Sequence, residues 1–168
     1  MTAPRAQLAT RPLPEGLEAF AAEATGMNSG RLRSLLTNLP AAFRNIERCL
    51  RPEEGGITRR ELVRSPEVLL VLAGMEPGHS EAPHDHPGSL SAFRVLRGVA
   101  VVTRFGMDDR GSLVVASLDT YLPGSVLVQD ETEVRSLGND RSAAEALVTL
   151  HVYLPAPAIR IYTEGGVT

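Results

Sequence analysis

The sequence predicts a mainly β protein, an antiparallel jelly-roll β-barrel behind an N-terminal helical segment. Three observations carry this. The apolar period changes from helical to strand-like near residue 55. Beyond Gly56, short apolar runs recur roughly every ten positions, separated by turn residues. Pro-Gly pairs at Pro77-Gly78, Pro87-Gly88 and Pro123-Gly124 punctuate those runs, as a small all-β barrel requires. The chain divides into a helical segment, 1–55, and a barrel, 56–168, forming one integrated domain.

The first helix begins at Glu15 and places Leu17, Phe20 and Ala21 on one face. A second follows the good capping residues Asn28 and Ser29 and runs from Arg31 to Leu39, where Pro40 interrupts it. A third is expected over Ala41 to Leu50, with Phe43, Ile46 and Leu50 spaced for one face. Arg51 to Gly56 is the linker. Strands are predicted at Val68–Met75, Ala92–Phe105, Leu113–Leu118, Val126–Gln129, Glu133–Leu137, Leu147–Leu154 and Ile159–Tyr162. No internal repeat or low-complexity segment interrupts this pattern.

Composition narrows the function classes. A hydrophobic content of 43% suffices for a core, and no apolar run approaches the ~20 residues that span a bilayer. All seventeen basic residues are arginine, scattered rather than clustered, and the net charge is −3, so no nucleic-acid face is expected. Seven aromatics provide no stacking platform for single strands. Met1 to Pro14 lack the apolar stretch of a secretory signal, and the single Cys49 permits no internal disulfide; a cytoplasmic location is expected. Cys49 itself reads as a buried structural thiol. The chain is expected to be a monomer or a homodimer.

The chemistry concentrates in Gly78-His-Ser-Glu-Ala-Pro-His84-Asp-His86. Strand side chains alternate, so His84 and His86 share a face and can turn two imidazoles toward one point. Imidazole suits iron, nickel, copper and zinc alike. The wider spacing, Gly-x5-His-x-His-x4-Ser-x6-Gly from Gly78 to Gly98, resembles the first motif of the cupin superfamily, with Ser91 where many cupins carry glutamate. The glycines suit tight turns with positive φ.

Within that superfamily the chain resembles the thiol dioxygenases, the cysteine dioxygenase branch. The matching segments are Arg59-Arg60-Glu-Leu-Val, Met75 through His86, Phe93-Arg-Val-Leu-Arg-Gly and Thr149-Leu-His-Val-Tyr-Leu-Pro. The resemblance implies a cupin-type double-stranded β-helix, a mononuclear iron(II) held by three histidines, and addition of both atoms of O2 to the sulfur of a small thiol such as L-cysteine or 3-mercaptopropionate. It places two metal ligands at His84 and His86. It places the substrate-carboxylate arginine at Arg60, whose Arg-x-Leu-Val setting fits best, or at its neighbour Arg59; a guanidinium fork matches a carboxylate with two parallel hydrogen bonds. The family's Ser-His-Tyr relay falls on Thr149, His151 and Tyr153.

Two departures follow. Ser91 stands where some members carry a cysteine cross-linked to the tyrosine, so that modification is impossible here. The third histidine is replaced by Arg135, which stays protonated and offers no lone pair to a cation. Glu133 could then complete a two-histidine, one-carboxylate set. Alternatively, water and a chelating substrate complete the shell, His79 or His151 swings in, or metal binding is lost. Arg135 is in turn free to serve the substrate. The altered set leaves iron(II) or another divalent ion such as nickel(II) open. It also leaves open oxidation of cysteine to another product, with decarboxylation or S–N bond formation. A cupin isomerase or lyase and a metal-free ligand-binding barrel are the other classes.

Overall fold

The computed structural model describes residues 11–53, 55–163 and 166–167. Residues 1–10, on which part of the expectation about a secretory signal rests, lie outside them.

Among the described residues, two α-helices, α1 (Leu17–Ala24) and α2 (Ser29–Thr37), precede eleven strands. These are β1 (Ile57–Arg64), β2 (Leu69–Met75), β3 (His84–Asp85), β4 (Leu90–Arg97), β5 (Ala100–Met107) and β6 (Leu113–Tyr121). The rest are β7 (Val126–Gln129), β8 (Arg135–Asn139), β9 (Leu147–Leu154), β10 (Arg160–Thr163) and β11 (Gly166–Val167). They form two antiparallel sheets, ordered β1-β2-β9-β4-β7 and β11-β10-β3-β8-β5-β6. No helix among the described residues is long and apolar enough to cross a membrane.

The five-stranded sheet has two different faces. Its outer face carries Leu70, Leu72, Ala92, Val148, Leu150 and Val152, which pack against Leu17, Phe20, Leu32 and Leu36 of the helices. Each such large side chain contributes about 1.5–3 kcal/mol when fully buried. Its inner face meets the second sheet through Met75, Phe93, Val95, Leu127 and Leu147 against Ala100, Val102 and Leu137.

Local signals account for most boundaries. The Asn28 side chain accepts from Arg31 N at 3.0 Å and starts α2, as its capping chemistry predicts. The expected third helix is instead two short 3₁₀ turns, Ala41–Phe43 and Ile46–Cys49. Asn45 lies between them at φ 66°, a left-handed conformation that asparagine tolerates and that stops an α-helix. Phe43, Ile46 and Cys49 are three apart, so the 3₁₀ turns still bury them together.

The predicted Ala92–Phe105 strand is split into β4 and β5 by Gly98 at φ 74°. A Cβ there would also lie 2.9 Å from Leu147 Cα, so only glycine permits the chain to cross from one sheet to the other at this point.

Candidate metal and substrate site

The polar part of the space between the sheets is built from five strands. The β3 segment is only two residues long, and its position is fixed by Asp85. This buried carboxylate accepts from Arg160 Nε at 3.0 Å, from Arg160 Nη2 at 2.6 Å and from the Tyr162 hydroxyl at 2.9 Å. Burial alone would raise its pKa, but the bonds from Arg160 and Tyr162 outweigh that and lower it. Asp85 therefore pins β3 to β10, and the flanking histidines turn the other way.

His84 and His86 come together as the H-x-H spacing predicts, with ring centroids 4.9 Å apart. His84 Nδ1 donates to the Ala82 carbonyl at 2.8 Å, which leaves the Nε2 lone pair free. This arrangement orients metal-binding histidines generally. His86 is 1% exposed, and its Nε2 is buried without a hydrogen-bond partner. Burial, then the Arg135 charge, pushes its pKa down to about 3, so the ring is neutral at ordinary pH.

Thr149, His151 and Tyr153 line up along the inner face of β9. His151 Nε2 lies 2.8 Å from Thr149 Oγ1, and the Tyr153 hydroxyl lies 3.3 Å from His151 Nδ1. Thr149 Oγ1 is in turn 3.5 Å from the Ala73 carbonyl. The consistent assignment has Thr149 donating to Ala73, His151 Nε2–H donating to Thr149, and Tyr153 donating to His151 Nδ1. Burial, foremost, holds His151 neutral by lowering its pKa and holds the Tyr153 phenol protonated by raising its own. The Tyr153 ring stands edge-on to His86, centroids 5.0 Å apart. Ser91 pairs with Tyr153 across β4 and β9.

Two sequence expectations are corrected. Arg60 is not at the site. It is paired with Leu72, which faces the helices, and its Nη1 donates to the Cys49 carbonyl at 2.6 Å on that outer side. Arg59, one residue earlier, lies on the opposite face, half exposed at the cavity beside His84, and forms an ion pair with Glu81. Strand alternation sends the two neighbouring arginines to opposite faces.

Glu133 does not join the histidines either. Its Oε1 accepts from Arg104 Nε at 2.6 Å, and it precedes the start of β8, so the alternation that would have aligned it with Arg135 does not reach it. His79 lines a separate hollow with Ser136 and Gly138. Both ring nitrogens of His151 are engaged in the relay.

Arg135 points inward and is 3% exposed. Its Nη2 lies 3.2 Å from His86 Nδ1 and 3.3 Å from Ser91 Oγ, and its Nη1 has no partner. Gln129, opposite Ser91 on β7, is 1% exposed with both amide atoms unpartnered. A cavity of about 330 Å³ opens beside this region, lined by Ile57, Arg59, Glu81, Ala82, His84 and Ile161.

Sequence reasoning missed Glu81 and Gln129. Glu81 lies in a loop without periodicity, and only the fold-back before His84 brings its Oε2 to 3.6 Å from His84 Nε2. Gln129 had a usable signal: it stands two residues after inward-facing Leu127 on a correctly predicted strand.

The donor set fits a divalent ion held by two imidazoles. A directed Nε2 on His84 and an orphaned, buried Nε2 on His86 are the atoms that would hold it. Among the described residues, no group of three His, Cys, Asp or Glu side chains is placed to hold an ion. The remaining positions of such an ion would fall to solvent or substrate.

No protein-family model and no curated protein sequence matches the chain. Solved structures do. An uncharacterized conserved protein with a double-stranded β-helix domain from Klebsiella pneumoniae aligns with a TM-score of 0.58 at 18% identity, covering 74% of this chain and 97% of that one. A cupin superfamily protein from Desulfitobacterium hafniense aligns at 0.50 and 18%, covering 64% and 85%. A recombinant oxalate oxidase in complex with glycolate aligns at 0.51 and 18%, covering 64% and 55%. The chain has the fold of the cupin, or double-stranded β-helix, proteins.

Proposed function

We propose that this protein is a metal-dependent cupin oxygenase acting on the sulfur of a small thiol acid such as L-cysteine or 3-mercaptopropionate. The observation that carries the reading is the Thr149–His151–Tyr153 hydrogen-bond chain ending beside the His84/His86 pair. A core strand gains nothing from a buried histidine wired to a phenol at that point, whereas a reacting thiolate needs an oriented donor. The fold is compatible with catalysis, since an oxidase shares it.

In this reading His84 and His86 hold the ion through Nε2. A divalent transition ion, iron(II) by the resemblance or nickel(II), supplies Lewis acidity for the thiol and the one-electron chemistry that O2 requires. Tyr153 is kept protonated by burial; with His151 in its other tautomer, Thr149 donating to Nε2 and Nδ1–H donating to the Tyr153 oxygen, the single phenol proton is freed to donate toward the reacting sulfur. The buried, unpaired charge of Arg135 draws in the carboxylate, with Arg59 at the mouth of the neighbouring cavity. The overall change is R–S⁻ + O2 → R–SO2⁻, with sulfur giving up four electrons and both oxygen atoms ending on it.

Arg135 in place of a third imidazole favours a second reading, in which the same site carries cysteine to a different oxidised product, with loss of carbon dioxide or S–N bond formation. One experiment separates the two. Protein reconstituted with iron(II) or nickel(II) is given each thiol under labelled O2, and the product is weighed by mass spectrometry. A sulfinic acid with both oxygens from O2 supports the first reading. A decarboxylated or S–N-bonded product supports the second, and absence of O2 uptake with either thiol overturns both.

A further inference from the structure

The guanidinium of Arg135 is a buried cation without a counter-charge. It makes no ion pair among the described residues, its Nη1 has no partner, and its Nη2 meets only the neutral atoms of Ser91 and His86. The two carboxylates whose fields reach it are Glu81 and Glu133. Each is taken by another arginine, Glu81 by Arg59 and Glu133 by Arg104. Asp85 is committed to Arg160 and Tyr162. Among the described residues, none of the acids whose fields reach it is left to neutralise this cation, and a buried charge requires a partner.

The surroundings specify what that partner is. Gln129 brings a second unsatisfied polar group, and its backbone register with Ser91 sets it beside the hydroxyl that Arg135 contacts. One net positive charge, a planar fork of N–H donors and an amide together complement a planar monoanion, which is the description of a carboxylate. Arg135 and Gln129 are 3% and 1% exposed, so the acid that reaches them must be short.

We propose that Arg135 anchors the carboxylate of a short-chain acid through Nη1, and does so without a metal. This deepens the function proposed above and rests on it only for the location of the site. It assigns the carboxylate to Arg135 rather than Arg59, whose guanidinium already carries Glu81. One consequence follows for the metal. Arg135 Nη2 can donate to His86 Nδ1 only when the proton of that ring is on Nε2, the atom that would hold an ion. A carboxylate that draws the guanidinium toward itself frees His86 to carry its proton on Nδ1, facing Ser91 Oγ. Acid and metal therefore bind with positive coupling, each raising the affinity of the other by the same factor.

The test uses the chelator-treated, metal-free full chain and propionate, which lacks a thiol, with 1-propanol as the uncharged control. Calorimetry should show propionate binding and no propanol binding. Arg135→Met should weaken propionate by at least about tenfold, the scale of a charge-assisted pair, while Arg60→Ala leaves it unchanged. Because Arg135→Met can repack the interior, the unaltered protein supplies a second measurement: the Arg135 side-chain N–H resonances should shift on propionate titration. Absence of propionate binding, undiminished binding in Arg135→Met, or unmoved Arg135 resonances at saturation overturns the proposal. Its failure is distinguishable from that of the function. Propionate captured by Arg135 in a protein that oxidises no thiol sinks the oxygenase and leaves the anchor standing. Thiol oxidation with an unchanged KM for 3-mercaptopropionate in Arg135→Met does the reverse.

Discussion

Two regions of the space between the sheets are made by the same strands and differ by only two residues along each. On β4, β7 and β8, inward-facing Phe93, Leu127 and Leu137 form a dry apolar core. Two positions along, on the same face, stand Ser91, Gln129 and Arg135. In the first region every contact is dispersion and removal of apolar surface from water. In the second, His86 Nε2, both Gln129 amide atoms and Arg135 Nη1 are buried with hydrogen-bonding capacity unspent. A protein selected only for stability would extend the apolar packing. The first region holds the sheets together, and the second carries unspent polar capacity, at a cost in stability, that the proposed ligand would satisfy.

The comparison predicts opposite responses to substitution. Phe93→Ala, in the apolar region, should cost about 3–5 kcal/mol of unfolding free energy by denaturant titration, because it opens a cavity the surrounding sheets cannot collapse into. Arg135→Met, in the polar region, should leave the fold as stable or raise its stability by about 1–4 kcal/mol, since it replaces an unpaired buried charge by a side chain of similar length. A large loss of stability in Arg135→Met would mean that the guanidinium is structural and would break the contrast.

The neutral histidines give the metal-free protein a pH signature. His86 and His151 have pKa values lowered in the folded state, His86 to about 3 and His151 well below 6.5. Below pH ~6.5 the unfolded chain takes up protons at these rings that the folded chain does not. Stability is therefore fully present above that value and is lost progressively as pH falls toward 3. Thermal unfolding followed between pH 7 and pH 4 should show this decline, and His151→Gln should flatten it. A profile unchanged by His151→Gln would place the acid sensitivity elsewhere.

The smallest effect is expected at Arg60. Its guanidinium tethers Cys49 to β1 on the outer face, so Arg60→Ala should cost about 1 kcal/mol and leave thiol KM unaltered. Arg59→Ala should change KM, because Arg59 and its partner Glu81 line the cavity beside His84. Equal KM values for the two variants would contradict the inward and outward assignment.

These neighbours show where the sequence was legible. Val126–Gln129 and Leu147–Leu154 were readable to the residue because each is a clean apolar strand bounded by turn chemistry. β1 was not read as a strand: Thr-Arg-Arg-Glu at its start carries the charges of an edge strand and no alternation. The pair His84/His86 and the Thr149–His151–Tyr153 chain could be placed on common faces from period two alone. The choice between Arg59 and Arg60 could not, because a one-residue difference in register inverts the face and nothing local fixes the register of an edge strand. A strand beginning at Glu133 would put that residue on the face of Arg135, but β8 begins at Arg135. The role of Asp85 was also invisible, since its partners Arg160 and Tyr162 lie far along the chain.

The function proposed for the polar region between the sheets requires an ion held on His84 and His86. Its most direct test is metal stoichiometry. Untagged protein loaded anaerobically with iron(II) and desalted should retain about one ion per chain by elemental analysis, whereas the double variant His84→Ala/His86→Ala should retain none while keeping the wild-type circular dichroism. Equal metal content in the wild type and a folded double variant would contradict the account.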